Sequence, residues 1–404
     1  MLKNRSRNCS TKRKATWGGY HRNERGMTLV FVACGLLAFI AATMLAIDVG
    51  MLMTARNQAQ NSADAGALAG AVGLGFNDYN DRTETGPAVT SAIAAATNPA
   101  NNVMYGAVSV TPSDVVFEND PTGEPNRVKV TVYRNAERGN PLTTIIASIF
   151  GFTNTDVGAT ATAEVSPANA MTCVKPFTIP DLWIERTDPP FDSLTSTFEL
   201  YQRPTQHGNP LPNPDVYIPA DQPGYTGYNQ EQHRGTRLMI RAGSGNNIEP
   251  SMYFSLALDG MDETGAEEYE WNIRNCNTRI VRWGEDLIQE PGAVMGPTID
   301  GIRDLIARDP AAVWDSRCNC IRNSAYGSGH SPRLFPIPLY DPVVYTEGVR
   351  NGRYADLVVA NWIGFFVEEF DSNNIWGRIQ PIAGIRTGDP VPAGVFPVAI
   401  RLIK

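Results

Sequence analysis

The pattern of apolar and polar positions changes character three times along the chain. From Met27 to Ile47 the sequence MTLVFVACGLLAFIAATMLAI carries no charge over 21 residues. As a helix rising ~1.5 Å per residue it reaches about 31 Å, the thickness of a bilayer core, so it predicts a transmembrane span. The helical pattern continues beyond it, because DVGMLMTARNQAQNSADAGALAGAVG has no proline and is rich in alanine. One helix from about Met27 to Gly73 is therefore expected. Along it Ala55, Ala59, Ala63, Ala67 and Ala71 form an i, i+4 row with Gly66 and Gly70 beside it. Small residues in such a row let another backbone approach closely, here a sheet of the same chain in preference to a helix of a second subunit.

From Gly86 to Ser166 the pattern shortens. AVTSAIAAAT reads as a helix, AVSVTP and DVVFEN as short strands, and Asp120-Pro121-Thr122-Gly123 as a turn. In RVKVTVYR the residues Val128, Val130 and Val132 alternate with polar partners, as a half-buried strand requires. PLTTIIASIFG predicts a second helix and DVGATATAEV a further strand. A long apolar helix laid on an antiparallel sheet is a pilin-like arrangement. Residues 167–404 read differently: RLMIRA, SMYFSLAL, RLFPIPLY, DLVVANWIGFFVEEF and VFPVAIRLIK are short apolar runs separated by Gly, Pro and Asn clusters. One helix, PTIDGIRDLIARDP, interrupts them, and the Pro-, Asn-, Gly- and Tyr-rich stretch Arg203 to Gln230 reads as a long solvated loop. The expected fold class is α+β. A transmembrane helix at 27–47 continues into a pilin-like helix-on-antiparallel-sheet unit at 48–166, and a β-rich domain follows at 167–404.

Charge adds an orientation. Residues 1–26 hold eight Lys or Arg against Glu24 alone, a net +7, which leaves 26 basic and 41 acidic residues, or −15, in the remainder. A basic flank stays in the cytoplasm, so the acidic body is expected to be exported. A basic region of 26 residues and an apolar run of this length exceed the usual secretory signal, which favours a retained anchor over a cleaved peptide. The acidic body also argues against a nucleic-acid partner. Cys9 falls on the cytoplasmic side and Cys34 within the span, while Cys173, Cys276, Cys318 and Cys320 fall in the exported part. Four cysteines in an oxidising compartment allow three connectivities. Bridges from Cys173 or Cys276 to the 318/320 turn are preferred, and Cys318 to Cys320 is the least favoured, because a ring between residues two apart demands a strained backbone. Cys318-Asn319-Cys320 is too tight for a zinc knuckle and no histidine pair accompanies it, so no metal is expected.

The sequence completes no familiar catalytic pattern. His207, His233 and His330 do not form H-E-x-x-H, and the Gly-Ser-Gly triplets of RAGSGNN and AYGSGHS do not form G-x-S-x-G. Gly73-Leu74-Gly75 lacks the third glycine of a dinucleotide fingerprint, and no P-loop occurs. The acidic clusters Asp78 to Glu84 and Asp262 to Glu270 lack calcium-loop spacing and read as solvated loops. No catalytic residue, cofactor or small-molecule substrate is expected.

With these segments in order, the N-terminus resembles the TadE/TadG-like membrane proteins of the tight-adherence (Flp) pilus-assembly system. The likeness lies in ERGMTLVFVACGLLAFIAATMLAIDVGMLMTARNQAQNSADAGALAGA, Glu24 to Ala71. Its marks are an R-G before an uncut apolar helix, a D-V-G step at Asp48 to Gly50, and the run QNSADAGALAGA. The resemblance implies a non-enzymatic structural or assembly component of a Tad-type pilus or related secretion apparatus. Such a component is a single-pass inner-membrane protein with a cytoplasmic N-terminus and periplasmic domains, and its partners are the bilayer and other pilus-assembly or envelope proteins. The alternative is a membrane-tethered exported enzyme or ligand-binding protein. Prepilin-like processing would fall between Gly26 and Met27. Polymerising pilins carry glutamate five residues beyond the cut, where this chain has Phe31, which argues against both cleavage and a major filament role. Longer TadG-like members carry a D-x-S-x-S metal site, and no such string occurs here.

Overall fold

The computed structural model describes residues 25–403 except 79, 146–147, 149–150, 152, 204–207, 244–246, 259–264, 291–293, 328 and 351–356. It is a mixed helix and sheet protein with a long apolar N-terminal helix and a β-rich C-terminal region. Helix α1 (Arg25–Val72) is 48 residues long, and its last turn widens over Gly73–Asn77. Helix α2 (Pro87–Ala96) starts with proline at its first position, where the missing N–H removes no helical bond. Strands β1 (Val115–Glu118), β2 (Arg127–Arg134) and β5 (Val157–Pro167) build an antiparallel sheet, which the C-terminal strand Val398–Ile403 completes beside β5.

Small side chains set the spacing in this unit. All five alanines of the α1 row are fully buried. They face α2 and the inner side of the sheet, where Val128, Val130 and Val132 stand opposite Ala163, Ala161 and Ala159. The two glycines mark the closest approaches. A Cβ at Gly66 would come within 2.9 Å of the Ala96 methyl, and one at Gly70 within 2.7 Å of a Val128 methyl. The alanine seam is thus covered by its own chain.

Between β2 and β5 a ribbon of β3 (Leu142–Thr143) and β4 (Asn154–Thr155) replaces the start of the helix expected over PLTTIIASIFG. Residues 146–147 and 149–150 of that expected helix lie outside the described residues. Thr143 and Thr144 are β-branched and disfavour helix at its start, and Leu142 is drawn into the core. AVSVTP gives only a bridge from Ser109 to Tyr133, followed by a single 3₁₀ turn at Pro112–Asp114.

In the C-terminal region six strands close on themselves. Around the ring they run Leu357–Phe370, Leu334–Tyr340, Phe177–Pro180, Met252–Ser255, Arg237–Ala242 and Asn374–Gln380, which returns to the first. Alternate residues such as Phe335, Ile337, Leu339, Ile363, Phe365, Ile240 and Ile379 fill the interior. The helices Ala266–Arg274 and Met295–Arg308 add Tyr269, Ile273, Ile302 and Leu305 to this core. The expected helix at PTIDGIRDLIARDP is present, but it has companions at Ala266–Arg274 and Pro342–Arg350. The first of these takes in Glu267 to Glu270, which the sequence reads as a solvated loop.

Two further expectations change. Part of VFPVAIRLIK, read with the 167–404 segment, forms the edge strand of the first sheet instead. The tyrosines of the 203–230 stretch do not face water: Tyr228 is buried, and Tyr217 and Tyr225 turn inward with it onto a buried carboxylate. Their ring area and hydroxyl donors serve that carboxylate better than they serve solvent.

Candidate functional site

Helix α1 has two dissimilar halves. From Gly26 to Ile47 the side chains are exposed save for half-buried Met44, and they include Leu29, Phe31 and Phe39 at 73, 71 and 74% exposure. Large apolar side chains left in water over this length would be costly, and a helix this long and apolar can cross a membrane. From Ala55 to Ala71 the same helix is embedded in the folded body through its smallest residues. Between the halves lies Asp48, whose Oδ1 accepts a hydrogen bond from the Ile145 N–H at 2.8 Å. Gly26 and Met27 lie in the first turn of α1.

Residues 26–73 match the Tad family, described as Flp pilus-assembly TadE/G-like. The match coincides with α1, one residue out at either end, and so spans both the exposed half and the alanine seam of this Tad segment. No curated protein and no solved structure matches the chain.

Beyond the Tad segment, Glu164 on β5 joins the first sheet to the C-terminal segment. Its carboxylate is 3% exposed and meets Arg127 at 2.8 Å, Arg401 at 2.9 Å and Arg386 at 3.5 Å. Burial pushes its pKa up, but the hydrogen bonds and charges of Arg127 and Arg401 outweigh burial and hold the carboxyl below its ordinary value. A buried carboxylate so supplied stays ionised and fixes the strand Val398–Ile403 in place.

The cysteines pair as Cys173–Cys276 and Cys318–Cys320, while Cys34 is an exposed thiol on α1. This reverses the preference drawn from sequence. Cys173 takes a left-handed backbone conformation at φ +56° and lies with its Cα 4.2 Å from that of Cys276 at the end of Ala266–Arg274. Asn319 takes φ +46°, a region asparagine tolerates, and so folds Cys318 onto Cys320. The special backbone that made this pair the least favoured from sequence is supplied by one suitable residue in the turn.

Groups that resemble acid–base machinery are held by structural partners. Asp181 is fully buried. Its carboxylate accepts from the Tyr225 hydroxyl at 2.6 Å, the Tyr217 hydroxyl at 3.1 Å, Tyr228 N–H at 3.0 Å and Leu182 N–H at 2.9 Å. Asn361 donates onward to the Tyr225 hydroxyl and to the Tyr228 carbonyl. Burial pushes Asp181 up to about 6 despite these bonds. Buried Lys175 donates to the carbonyls of Asn272 and Asn275, and burial pulls its pKa down to about 7. In the acidic segment near α1, Asp78 and Asp81 accept from backbone N–H groups of their own turns. Among the described residues no group of three or more His, Cys, Asp or Glu converges as metal ligands would.

The alanine row was legible as a close-packed seam from its spacing. The Glu164 cluster was not, since its four members are spread over 275 positions of sequence. Only the odd isolation of Glu164 within the apolar strand ATATAEVS hinted at it.

Proposed function

We propose that this chain is an assembly component of a Tad-type pilus, anchored by the first half of α1 in the inner membrane with residues 1–26 in the cytoplasm and the folded body in the periplasm. The observation that carries this reading is the coincidence of the Tad match with a helix whose first half is exposed and apolar and whose second half is packed into the fold. In this reading residues 48–166, with the strand Val398–Ile403, form a pilin-like unit, and the rest of 167–404 forms a β-rich domain that meets other pilus or envelope proteins. The role is non-enzymatic: the Asp181 carboxylate is occupied by four internal hydrogen bonds and the Lys175 ammonium donates to two backbone carbonyls. Phe31 in place of a pilin's glutamate supports retention of the segment before Met27.

Reporter fusions at the C-terminus test the topology. A phosphatase that folds only outside the cytoplasm should be active, and a fluorescent reporter that matures only inside should be dark. The opposite pair of results would overturn the anchor, its orientation and the periplasmic role together.

A further inference from the structure

The two disulfides sit in unlike surroundings. Strands Val313–Asp315 and Cys320–Arg322 pair Val313 with Arg322, Trp314 with Ile321 and Asp315 with Cys320, so residues 316–319 form the turn and Cys318 stands in it, outside the ladder. Arg317 and Asn319 are exposed there, and both cysteines are half-buried. Arg234 holds this turn from outside. Its guanidinium donates to the Asn319 carbonyl at 3.3 Å and to the Asn77 carbonyl at the end of α1. The Asn319 side chain rests beside Gly235, where an added Cβ would meet its Oδ1 at 2.7 Å.

Exposure alone does not separate the bridges, because Cys276 is exposed as well. The flanking bonds do. The Cys173 N–H donates to the Asn277 carbonyl at 2.9 Å, Lys175 Nζ to the Asn275 carbonyl at 2.7 Å, and Met171 pairs with Val281. These contacts keep the sulfurs of Cys173 and Cys276 together whether or not they are bonded, and thiols held at high effective concentration re-form their bond. At Cys318–Cys320 the ladder fixes only Cys320. Once the bond opens, Asn319 is released from φ +46° and Cys318 moves with the turn, while the strand pairs beneath remain.

We propose that Cys318–Cys320 is a thiol–disulfide exchange site that oxidises an incoming dithiol, and that Cys173–Cys276 is the structural bridge. A thiolate of the dithiol attacks one sulfur of the pair, forms an intermolecular S–S bond and expels the other cysteine as thiolate. The second thiolate of the same molecule then attacks its own sulfur in that bond, closes its own disulfide and releases the remaining cysteine. Two electrons and two protons pass from the dithiol to Cys318 and Cys320. A single thiol fails, because the freed cysteine stays two residues from the mixed disulfide and expels it. Positive charge around the turn favours departure as thiolate: Arg234 lies on the Asn319 carbonyl, Arg317 is next in sequence, and Arg322 pairs with Asp315, the one carboxylate opposite Cys320.

The test uses the full chain in mild detergent, incubated with graded dithiothreitol or with 2-mercaptoethanol at equal thiol concentration, then acid-quenched and alkylated with iodoacetamide. Trypsin cuts after Arg317 and Arg322, so both cysteines leave in one peptide, 318–322, whose mass counts the free thiols. Dithiothreitol should open this pair at a concentration at least about tenfold below that needed for Cys173–Cys276, with tryptophan emission still native, and the monothiol should leave it closed. Asn319→Val, which resists the left-handed turn, should lower the dithiothreitol needed by at least about threefold, and Asn319→Gly should restore the wild-type value. Opening of both bridges together, opening only with unfolding, or equal opening by the monothiol would overturn the exchange site. Asn319→Val behaving as wild type would overturn the part given to the turn.

Discussion

The two cores of this protein are built from different residues. All the fully buried members of the first are Ala, Val or Leu, gathered around the inner half of α1. The barrel core is rich in large rings, among them Phe177, Tyr253, Tyr269, Phe335, Phe365 and Phe396, with Asp181, Lys175 and Arg333 buried around its wall. In the first unit backbones approach until glycine is required, so added volume is what it cannot accommodate. In the second, bulky rings and isolated polar groups each carry much of the stability, so removal is what it cannot tolerate. The contrast follows from position. A long helix laid along its own sheet must approach it closely over many residues, whereas a closed barrel must be filled.

The largest effect expected from this contrast lies in the barrel region. Cys173 and Cys276 close a loop of 103 residues, a size for which cross-linking constrains the unfolded chain strongly. The double variant Cys173→Ala, Cys276→Ala should lose about 2 to 5 kcal/mol. All tryptophans beyond residue 17 lie between 183 and 376, so their fluorescence reports on this region alone. Denaturant unfolding followed by tryptophan emission should shift to lower midpoint. An equal loss in the Cys318→Ala, Cys320→Ala variant, whose ring spans two residues, would show that loop length is not what matters.

A pH effect follows next in size and again separates the regions. Asp181 has a folded pKa of about 6 against an ordinary 3.8, so its protonated form is the one the fold prefers. Its contribution is complete below about pH 4 and is lost as pH rises through 6, a difference of at most about 3 kcal/mol. Burial and the Asp181 charge push Tyr217 and Tyr225 upward, so both stay neutral in this window. Asp181→Asn should remove the slope, visible as a difference between wild-type and variant stability that grows from pH 4 to pH 7. Parallel curves would show that Asp181 titrates alike in both states and that the buried cluster is not under electrostatic load.

How much of this was legible depends on the range of the interactions. Local periodicity places α1, α2, β2 and β5, since Val128, Val130 and Val132 alternate and the alanine row repeats every four residues. Long-range pairing is not written in any local pattern. Val398–Ile403 reads like any other apolar run, yet the vacant edge of β5 and the arginines on Glu164 draw it into the first sheet. The disulfide pairs escaped for the same reason, because the backbone turn at Asn319 and the approach of Cys173 to Cys276 arise from the folded chain. The tyrosines near Asp181 read as loop residues by composition, and only their burial shows that they solvate a carboxylate.

The last and smallest prediction compares the two halves of α1 directly. Ala63 is fully buried against the sheet and α2, so Ala63→Leu adds volume where neighbouring backbones already limit the space. It should destabilise the first unit by about 1 to 3 kcal/mol, read as loss of helical circular dichroism at lower temperature in mild detergent. Leu37→Ala changes size in the opposite sense on the exposed half, where the side chain is 66% exposed in the isolated chain. It should alter unfolding by less than about 0.5 kcal/mol, because a side chain solvated by detergent or lipid leaves no cavity in the fold when it is trimmed. Both proteins should partition into the membrane fraction, since the span from Met27 to Ile47 stays uncharged over its 21 residues. If Leu37→Ala proves as damaging as Ala63→Leu, the outer half of α1 packs against protein, and a helix from a second copy would be the natural source. If Ala63→Leu is silent, the buried seam tolerates volume that its geometry denies it, and the account of the first core given by its small residues fails.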